Sequence, residues 1–375
     1  MDSEQGTTAG GKSSGSRQIA VLSLSALGDL LLALPLLQAL RRPHPGAALT
    51  IVAERGATAA FARELEAADR VVLLPPGARR APLALARALL VVRGLRADLA
   101  VQTFASHGAF GNLLMGATRA GVRVGFDDGR FANRLTHRIP IDDRLHYITL
   151  NLNLLRRLGH VDAAEPEGRY LPPLEERAAA FPLRGLRGRF GDYVVVSPGS
   201  DPALAFKRWP APKWAALCRW LVAQGRTPVF VGDRRERAAI DTILALGAPG
   251  ENTAGETGFA DLAALVSQSA LVVGTDGMVL HLAAAMDRPC VGVFGPTNPV
   301  WCGPWRQGHR VVRLGLPCSP CYRASNIGRA MTCRTQECLH YLSEEAVIAA
   351  VRRALDDATG ASSAGTGGHA YPEPR

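Results

Sequence analysis

Short apolar runs alternate with longer segments of helical period through most of this chain. In the first half the pattern predicts strands over 18–24, 49–53, 71–74, 98–103 and 121–126. Helices are predicted over 30–41, 57–67, 82–93 and 146–158. In the second half it predicts strands over 193–197, 228–231, 290–294 and 311–314 and one from Val272 into the turn Gly274-Thr275-Asp276-Gly277. Helices are predicted there over 212–223, 235–246, 261–268 and 343–355 and in the apolar segment through His281-Leu282-Ala283-Ala284-Ala285. Strands interleaved with helices in this way build parallel sheets covered on both faces, so the fold class is α/β. The alternation breaks over 161–191, where prolines and mixed charges read as a linker. That divides the chain into an 18–160 domain and a 192–356 domain, flanked by polar ends at 1–17 and 357–375 that read as a disordered leader and tail. The stretch 127–144 reads as an exposed loop.

Three predicted strands end in turns stripped of bulk. The first runs into Ser25-Ala26-Leu27-Gly28-Asp29, another into Pro198-Gly199-Ser200-Asp201, and a third into Gly274-Thr275-Asp276-Gly277-Met278. A helix that opens after such a turn presents unpaired N–H groups and a partial positive charge, which suits phosphate. Read without other information, Asp29, Thr275 or Asp276 could equally be helix caps. Ligands of open parallel sheets collect outside the carboxyl ends of the strands, where these turns lie. The chemistry is therefore expected in a cleft between two domains.

Composition narrows the classes. A chain of 375 residues, 47% apolar, is long enough for two cores. It contains no apolar run long enough to span a bilayer, and its start lacks the apolar stretch of a signal peptide, so a cytoplasmic protein is expected. The net charge is +10, and only three of the 43 basic residues are lysines: Lys12, Lys207 and Lys213. Such a balance favours acidic ligands or loose contact with the inner leaflet of an anionic membrane. Aromatics are too few, and too rarely interleaved with arginine, to favour nucleic acid. Four of seven cysteines, Cys318, Cys321, Cys333 and Cys338, have roughly the spacing of a four-thiolate structural zinc site; reduced loop thiols are the alternative.

Four motifs then occur in a recognisable order. They are Ser23 through Pro35 around Gly28-Asp29; His146 through Asn151 with Leu158-Gly159; Pro198-Gly199-Ser200 with Lys207-Arg208-Trp209-Pro210; and Gly274-Thr275-Asp276 with His281-Leu282-Ala283-Ala284 and Phe294-Gly295-Pro296-Thr297. Together they resemble the glycosyltransferase family 9 heptosyltransferases. The resemblance implies a GT-B fold, two Rossmann-like domains facing across a cleft, with a lipopolysaccharide-core acceptor on the N-terminal domain. It implies a nucleotide-sugar donor, ADP-heptose or similar, on the C-terminal domain, and transfer with inversion and without a metal or other cofactor.

Carried onto this chain, the resemblance makes Asp29 the base for the acceptor hydroxyl and Lys207 the cation at the departing diphosphate. Gly199, Ser200, Asp276, Gly277 and Met278 become donor contacts, and Glu236 the ribose ligand, with Asp233 as its competitor. Arg130 and Arg134 are expected on the acceptor side. The chain departs from the family at Gly277-Met278, where a small hydroxyl residue and then glycine are usual. His281 matches a family position but is read as a packing residue. Two other readings remain at this point: another GT-B enzyme such as a nucleotide-sugar epimerase, and a zinc-bearing basic binding protein.

Overall fold

A computed structural model describes residues 17–307, 310–322, 332–358 and 360. The leader expected over 1–17 lies outside the described residues except for Arg17. Of the expected tail, Asp357 and Ala358 belong to the last helix, and only Gly360 is described beyond them.

The first sheet contains β1 (Gln18–Ser23), β2 (Ala48–Ala53), β3 (Arg70–Leu73), β4 (Leu99–Gln102), β5 (Val122–Phe126) and β6 (His137–Ile139). The second contains β7 (Tyr193–Ser197), β8 (Thr227–Phe230), β9 (Glu251–Asn252), β10 (Leu271–Thr275), β11 (Cys290–Val293) and β12 (Val311–Val312). Their orders are β3-β2-β1-β4-β5-β6 and β12-β11-β10-β7-β8-β9, parallel throughout. Counted from its own first strand, each half has the same doubly wound topology, with its switch point between β1 and β4 or between β7 and β10.

The main helices follow in chain order: α1 (Leu27–Arg41), α2 (Gly56–Glu64), α3 (Pro82–Arg93), α4 (Ala109–Ala117), α5 (Tyr147–Arg157), α6 (Leu186–Phe190), α7 (Ala211–Ala223), α8 (Arg237–Ala245), α9 (Phe259–Gln268), α10 (Met278–Ala285), α11 (Pro299–Cys302), α12 (Glu337–His340) and α13 (Glu344–Ala358). Sequence pattern places most of these within a few residues. It misses α4, whose interior Gly111 and Asn112 weaken the helical signal, and it reads the polar edge strand β6 as loop.

α1 begins three residues before its expected start, so Asp29 falls inside the first turn rather than before it. Its leucines at 30, 31, 32, 34, 36, 37 and 40 are all buried, because the helix is covered on one side by its own sheet and elsewhere by α5 and α10. α10 is likewise buried from Val279 to Ala285. Helices of both halves thus share one apolar cluster that runs from Leu30 and Leu150 to Leu265 and Leu282.

The segment between the sheets is packed rather than loose. Tyr170, Leu171, Leu174 and Phe181 are buried. The amides of Tyr170 and Leu171 donate to the Ala285 carbonyl at 2.9 and 3.0 Å, at the end of α10. Asp261, in the first turn of α9, accepts from the amides of Ala179, Ala180 and Phe181 at 2.9, 2.9 and 3.2 Å, and from Gly258 at 3.1 Å. One carboxylate therefore closes its own helix and pins the connecting segment. A second clasp is His146, whose Nδ1 accepts from the Ile148 amide at 3.2 Å, leaving Nε2 to donate to the Gly303 carbonyl at 3.0 Å in the other half.

Both clasps make stability predictions. Asp261→Ala leaves one buried and three part-buried amides without their acceptor and should cost about 2 kcal/mol in urea unfolding. Burial lowers the His146 pKa to about 3, against 6.5 for a free imidazole, so the unfolded chain takes up a proton first as pH falls. Stability should therefore drop as pH falls below 6.5 toward about 3. The slope should be shallower in His146→Gln, as measured by thermal unfolding at several pH values.

Candidate active site

β1, β7 and β10, the strands at the two switch points, each deliver one of the turns singled out by sequence, and these turns meet: Gly28 approaches His281 and Met278, and the Thr275 hydroxyl bonds the Gly199 carbonyl. Asp29, in the turn after β1, is half-buried, and its carboxylate accepts from the Ala26 amide at 3.1 Å. It is thus both part of the helix start and a cleft carboxylate. Desolvation raises its pKa above the ordinary 3.8, opposed by hydrogen bonding with Ser25 and the Ala26 amide and by the Lys207 ammonium across the cleft.

Asp276, in the turn after β10, is buried, and Lys207 Nζ lies 2.6 Å from its Oδ2. Lys207 reaches it from the end of a short 3-10 turn, Pro202–Lys207, that follows the β7 turn. Desolvation is the largest influence on each partner. For Asp276 the ammonium more than offsets it and holds the carboxyl below its usual range; for Lys207 the carboxylate more than offsets it and raises the ammonium. Both groups are therefore charged at neutral pH. A buried pair of this kind adds little net stability, but it holds a cation ready where water is scarce.

His281, one turn into α10, is buried between Asp29 and Asp276. Desolvation lowers its pKa although both carboxylates raise it, so the ring is neutral near pH 7, and its Nδ1 has no hydrogen-bond partner among the described residues. A Cβ placed on Gly28 would come within 2.9 Å of His281 Cδ2 and 3.5 Å of Met278 Cα. Glycine at 28 is what lets the amino ends of α1 and α10 meet.

Gly277 is different. Its φ of −179° is open to any residue, and an added Cβ would meet only the Thr275 carbonyl oxygen at 3.7 Å. The departure from the family at this position leaves room rather than filling it. Met278 packs against the shared core as the first residue of α10.

The donor-side expectations divide in their geometry. Glu236 sits against two glycines: a Cβ on Gly199 would meet its Oε1 at 2.6 Å, and one on Gly232 its Oε2 at 2.9 Å. Its Oε2 accepts from the Asp233 amide at 2.8 Å. Asp233 instead turns to Arg235 at 2.7 Å on the surface. The Gly199 carbonyl accepts from the Thr275 hydroxyl at 2.8 Å, tying the β7 and β10 turns together. Ser200 is engaged within its own turn, donating to the Leu204 carbonyl at 3.0 Å while Arg208 caps its backbone oxygen at 2.6 Å.

The two arginines are separated. Arg130 is exposed just beyond the carboxyl end of β5, on the cleft side. Arg134 packs across Gly116 in the last turn of α4, and its carbonyl accepts from Arg123 at the start of β5, so it lies toward the opposite edge of the sheet.

Sequence reasoning missed two neighbours of the ion pair. The Cys302 thiol, at the end of α11, approaches Asp276 Oδ1 at 3.7 Å, and burial and that carboxylate keep it protonated. The Tyr322 ring lies 4.8 Å from Lys207 Nζ and is held by its amide on the Pro296 carbonyl at 2.8 Å. Nothing local in the sequence marks either one; both arrive through folding.

The cysteine-rich segment ends near this loop. Cys338 is buried, and burial together with the thiols of Cys321, Cys333 and Cys318 raises its pKa to about 11. Among the described residues no three His, Cys, Asp or Glu side chains are placed to hold a metal ion together.

Comparison with known proteins supports the same picture. The model of the family described as glycosyltransferase family 9 (heptosyltransferase) matches residues 109–331, more than half of the chain. Lipopolysaccharide heptosyltransferase 2 of Salmonella typhimurium is 33% identical over 126 residues, 32% of this chain and 36% of that protein. The chain thus spans little more than a third of that relative's length in the match. A family 9 glycosyltransferase structure from Veillonella parvula superposes with a TM-score of 0.68 at 20% identity, covering 91% of this chain and 97% of its own. The structure of ADP-heptose lipopolysaccharide heptosyltransferase II from E. coli gives 0.65 at 20%, covering 91% and 99%. These likenesses identify the fold as GT-B.

The two cleft glycines should behave oppositely. Gly28→Ala should push the α1 and α10 ends apart and lower both melting temperature and nucleotide affinity. Gly277→Ala should leave both within error, because its backbone and surroundings accept a side chain. Thermal unfolding with and without ADP distinguishes the two.

Proposed function

Because the chain belongs to glycosyltransferase family 9, we propose that it transfers a heptose-type sugar from a nucleoside-diphosphate donor such as ADP-heptose to a lipopolysaccharide-core or related cell-surface glycan. The reading places the reaction in the cytoplasm. It rests above all on one juxtaposition. A carboxylate of raised pKa from the first switch point faces a buried lysine–aspartate pair from the second, with helix amino ends on both sides.

The chemistry follows from these groups. The acceptor hydroxyl is a weak nucleophile, and Asp29 takes its proton as the oxygen bonds to the anomeric carbon. The bond from that carbon to the β-phosphate oxygen breaks in line, so the centre inverts and the nucleoside diphosphate leaves with the bonding pair. Negative charge grows on the β-phosphate. Lys207 turns from Asp276 toward it, and the amides opening α10 add to its stabilisation, so this chain's own groups cover the role a cation would play. Asp276, relieved of the ammonium, is placed to accept from donor-sugar hydroxyls. Glu236, beside the bare backbone at Gly199 and Gly232, is placed for the ribose. Arg130 fits the acceptor side better than Arg134 does, because it stands at the cleft.

A neutral carboxyl cannot act as the base. Since the Asp29 pKa is raised, activity should fall with pH at values above the ordinary 3.8 of an aspartate, and the acid limb of kcat/KM should report this. The stability sign is opposite. A carboxyl whose folded pKa is raised contributes stability below its unfolded pKa and loses it as pH rises through the folded one. Asp29→Asn should therefore melt no lower than wild type at neutral pH, keep nucleotide binding, and lose roughly 100-fold or more in transfer. Lys207→Ala should lose most of the thermal shift that ADP gives the wild type. Absence of stabilisation by any nucleoside diphosphate or nucleotide sugar would reject the transferase reading.

A further inference from the structure

The least explained surface of this protein is the outward face of α3. Residues 70–97, which contain this helix, carry six arginines and no acidic residue. They also carry the two most exposed leucines among the described residues, Leu83 at 77% and Leu90 at 67%. Ala88 and Val92 anchor the helix to the first domain, so these leucines are not needed for its packing.

At about 100° per residue, Leu83, Ala86 and Leu90 form one line down the exposed face. Arg87 lies roughly 60° to one side of that line and Arg93 a similar angle to the other. All five are exposed. A central apolar stripe with cations on both flanks is the pattern of a helix lying in a membrane interface, with leucines among the acyl chains and guanidinium groups reaching up to phosphates.

The face is also well placed. α3 runs antiparallel to the parallel strands it connects, so its amino end lies at their carboxyl ends, the edge that holds Asp29. Arg79, just before it, pairs at 2.7 Å with Glu54, which follows the carboxyl end of β2. The stripe therefore extends from the rim of the cleft outward.

We propose that the exposed face of α3, built on Leu83, Leu90, Arg87 and Arg93, docks this protein on an anionic phospholipid surface with the first domain's side of the cleft turned toward the lipid. Charge selects this occupant. A second copy of the chain would bring a second set of these arginines against the first, whereas anionic headgroups neutralise them. No helix among the described residues is long and apolar enough to cross a membrane, so attachment through α3 is peripheral.

Vesicle co-sedimentation of the full chain tests this without donor or acceptor, so its outcome is independent of the transferase reading. Wild type should pellet with phosphatidylglycerol-containing vesicles and much less with phosphatidylcholine alone. Leu83→Gln/Leu90→Gln should weaken partitioning roughly tenfold or more on the same vesicles. Arg87→Gln/Arg93→Gln should weaken it by a similar factor and flatten its salt dependence. Both variants should keep the wild-type melting temperature and ADP-induced shift, since none of the four residues is buried or lines the cleft. The proposal is overturned if wild type stays in the supernatant with anionic vesicles, or if either double variant pellets as wild type does. It is equally overturned if sedimentation velocity shows a wild-type dimer that the leucine substitutions dissolve, for the face would then be a contact between copies.

Discussion

The amino ends of α1 and α10 meet across the cleft at Gly28, where there is room for no side chain. A Cβ there would press on His281 at 2.9 Å. Two parallel sheets of identical topology would place their switch points at equivalent edges whatever their relative orientation. It is the contact at Gly28 that brings those edges within reach of each other. The shared core behind it, the Asp261 anchor on the connecting segment and the His146 bridge to Gly303 hold the two halves in that pose.

From that contact the electrostatics follow. Helix openings carry partial positive charge, and desolvation there would raise every carboxyl. Asp276 escapes because Lys207 is 2.6 Å away; Asp29, without so close a cation, does not. Two aspartates in similar turns are thereby set apart: Asp276 is paired and held in its charged form, while Asp29 holds its proton more tightly than a surface aspartate does. His281 stays neutral between them and contributes packing at the place where a charge would compete with Lys207.

Much of this was legible in the sequence, for a physical reason. A buried parallel strand is a short run of Val, Ile, Leu and Ala, and a turn that must clear a helix amino end is small, so the positions of Asp29, Gly199 and Asp276 are written locally. The family motifs then added Lys207 and Glu236. What could not be read locally depends on long-range packing. Cys302 and Tyr322 reach the ion pair from loops that only the second sheet positions. Gly111, whose added Cβ would strike the Ser106 carbonyl oxygen at 2.0 Å, weakens the very helix that requires it. Gly277 showed the reverse. Its departure from the family pattern drew attention, yet its surroundings place no steric demand on it.

In the proposed reaction Lys207 leaves Asp276, 2.6 Å away, for the donor's phosphate. A crystal structure with ADP bound tests it most directly. Lys207 Nζ is expected within hydrogen-bond distance of the β-phosphate, with the ribose beside Glu236 and the phosphates against the opening of α10. A nucleotide seated elsewhere, or a β-phosphate bound in the cleft while Lys207 remains on Asp276, would contradict it.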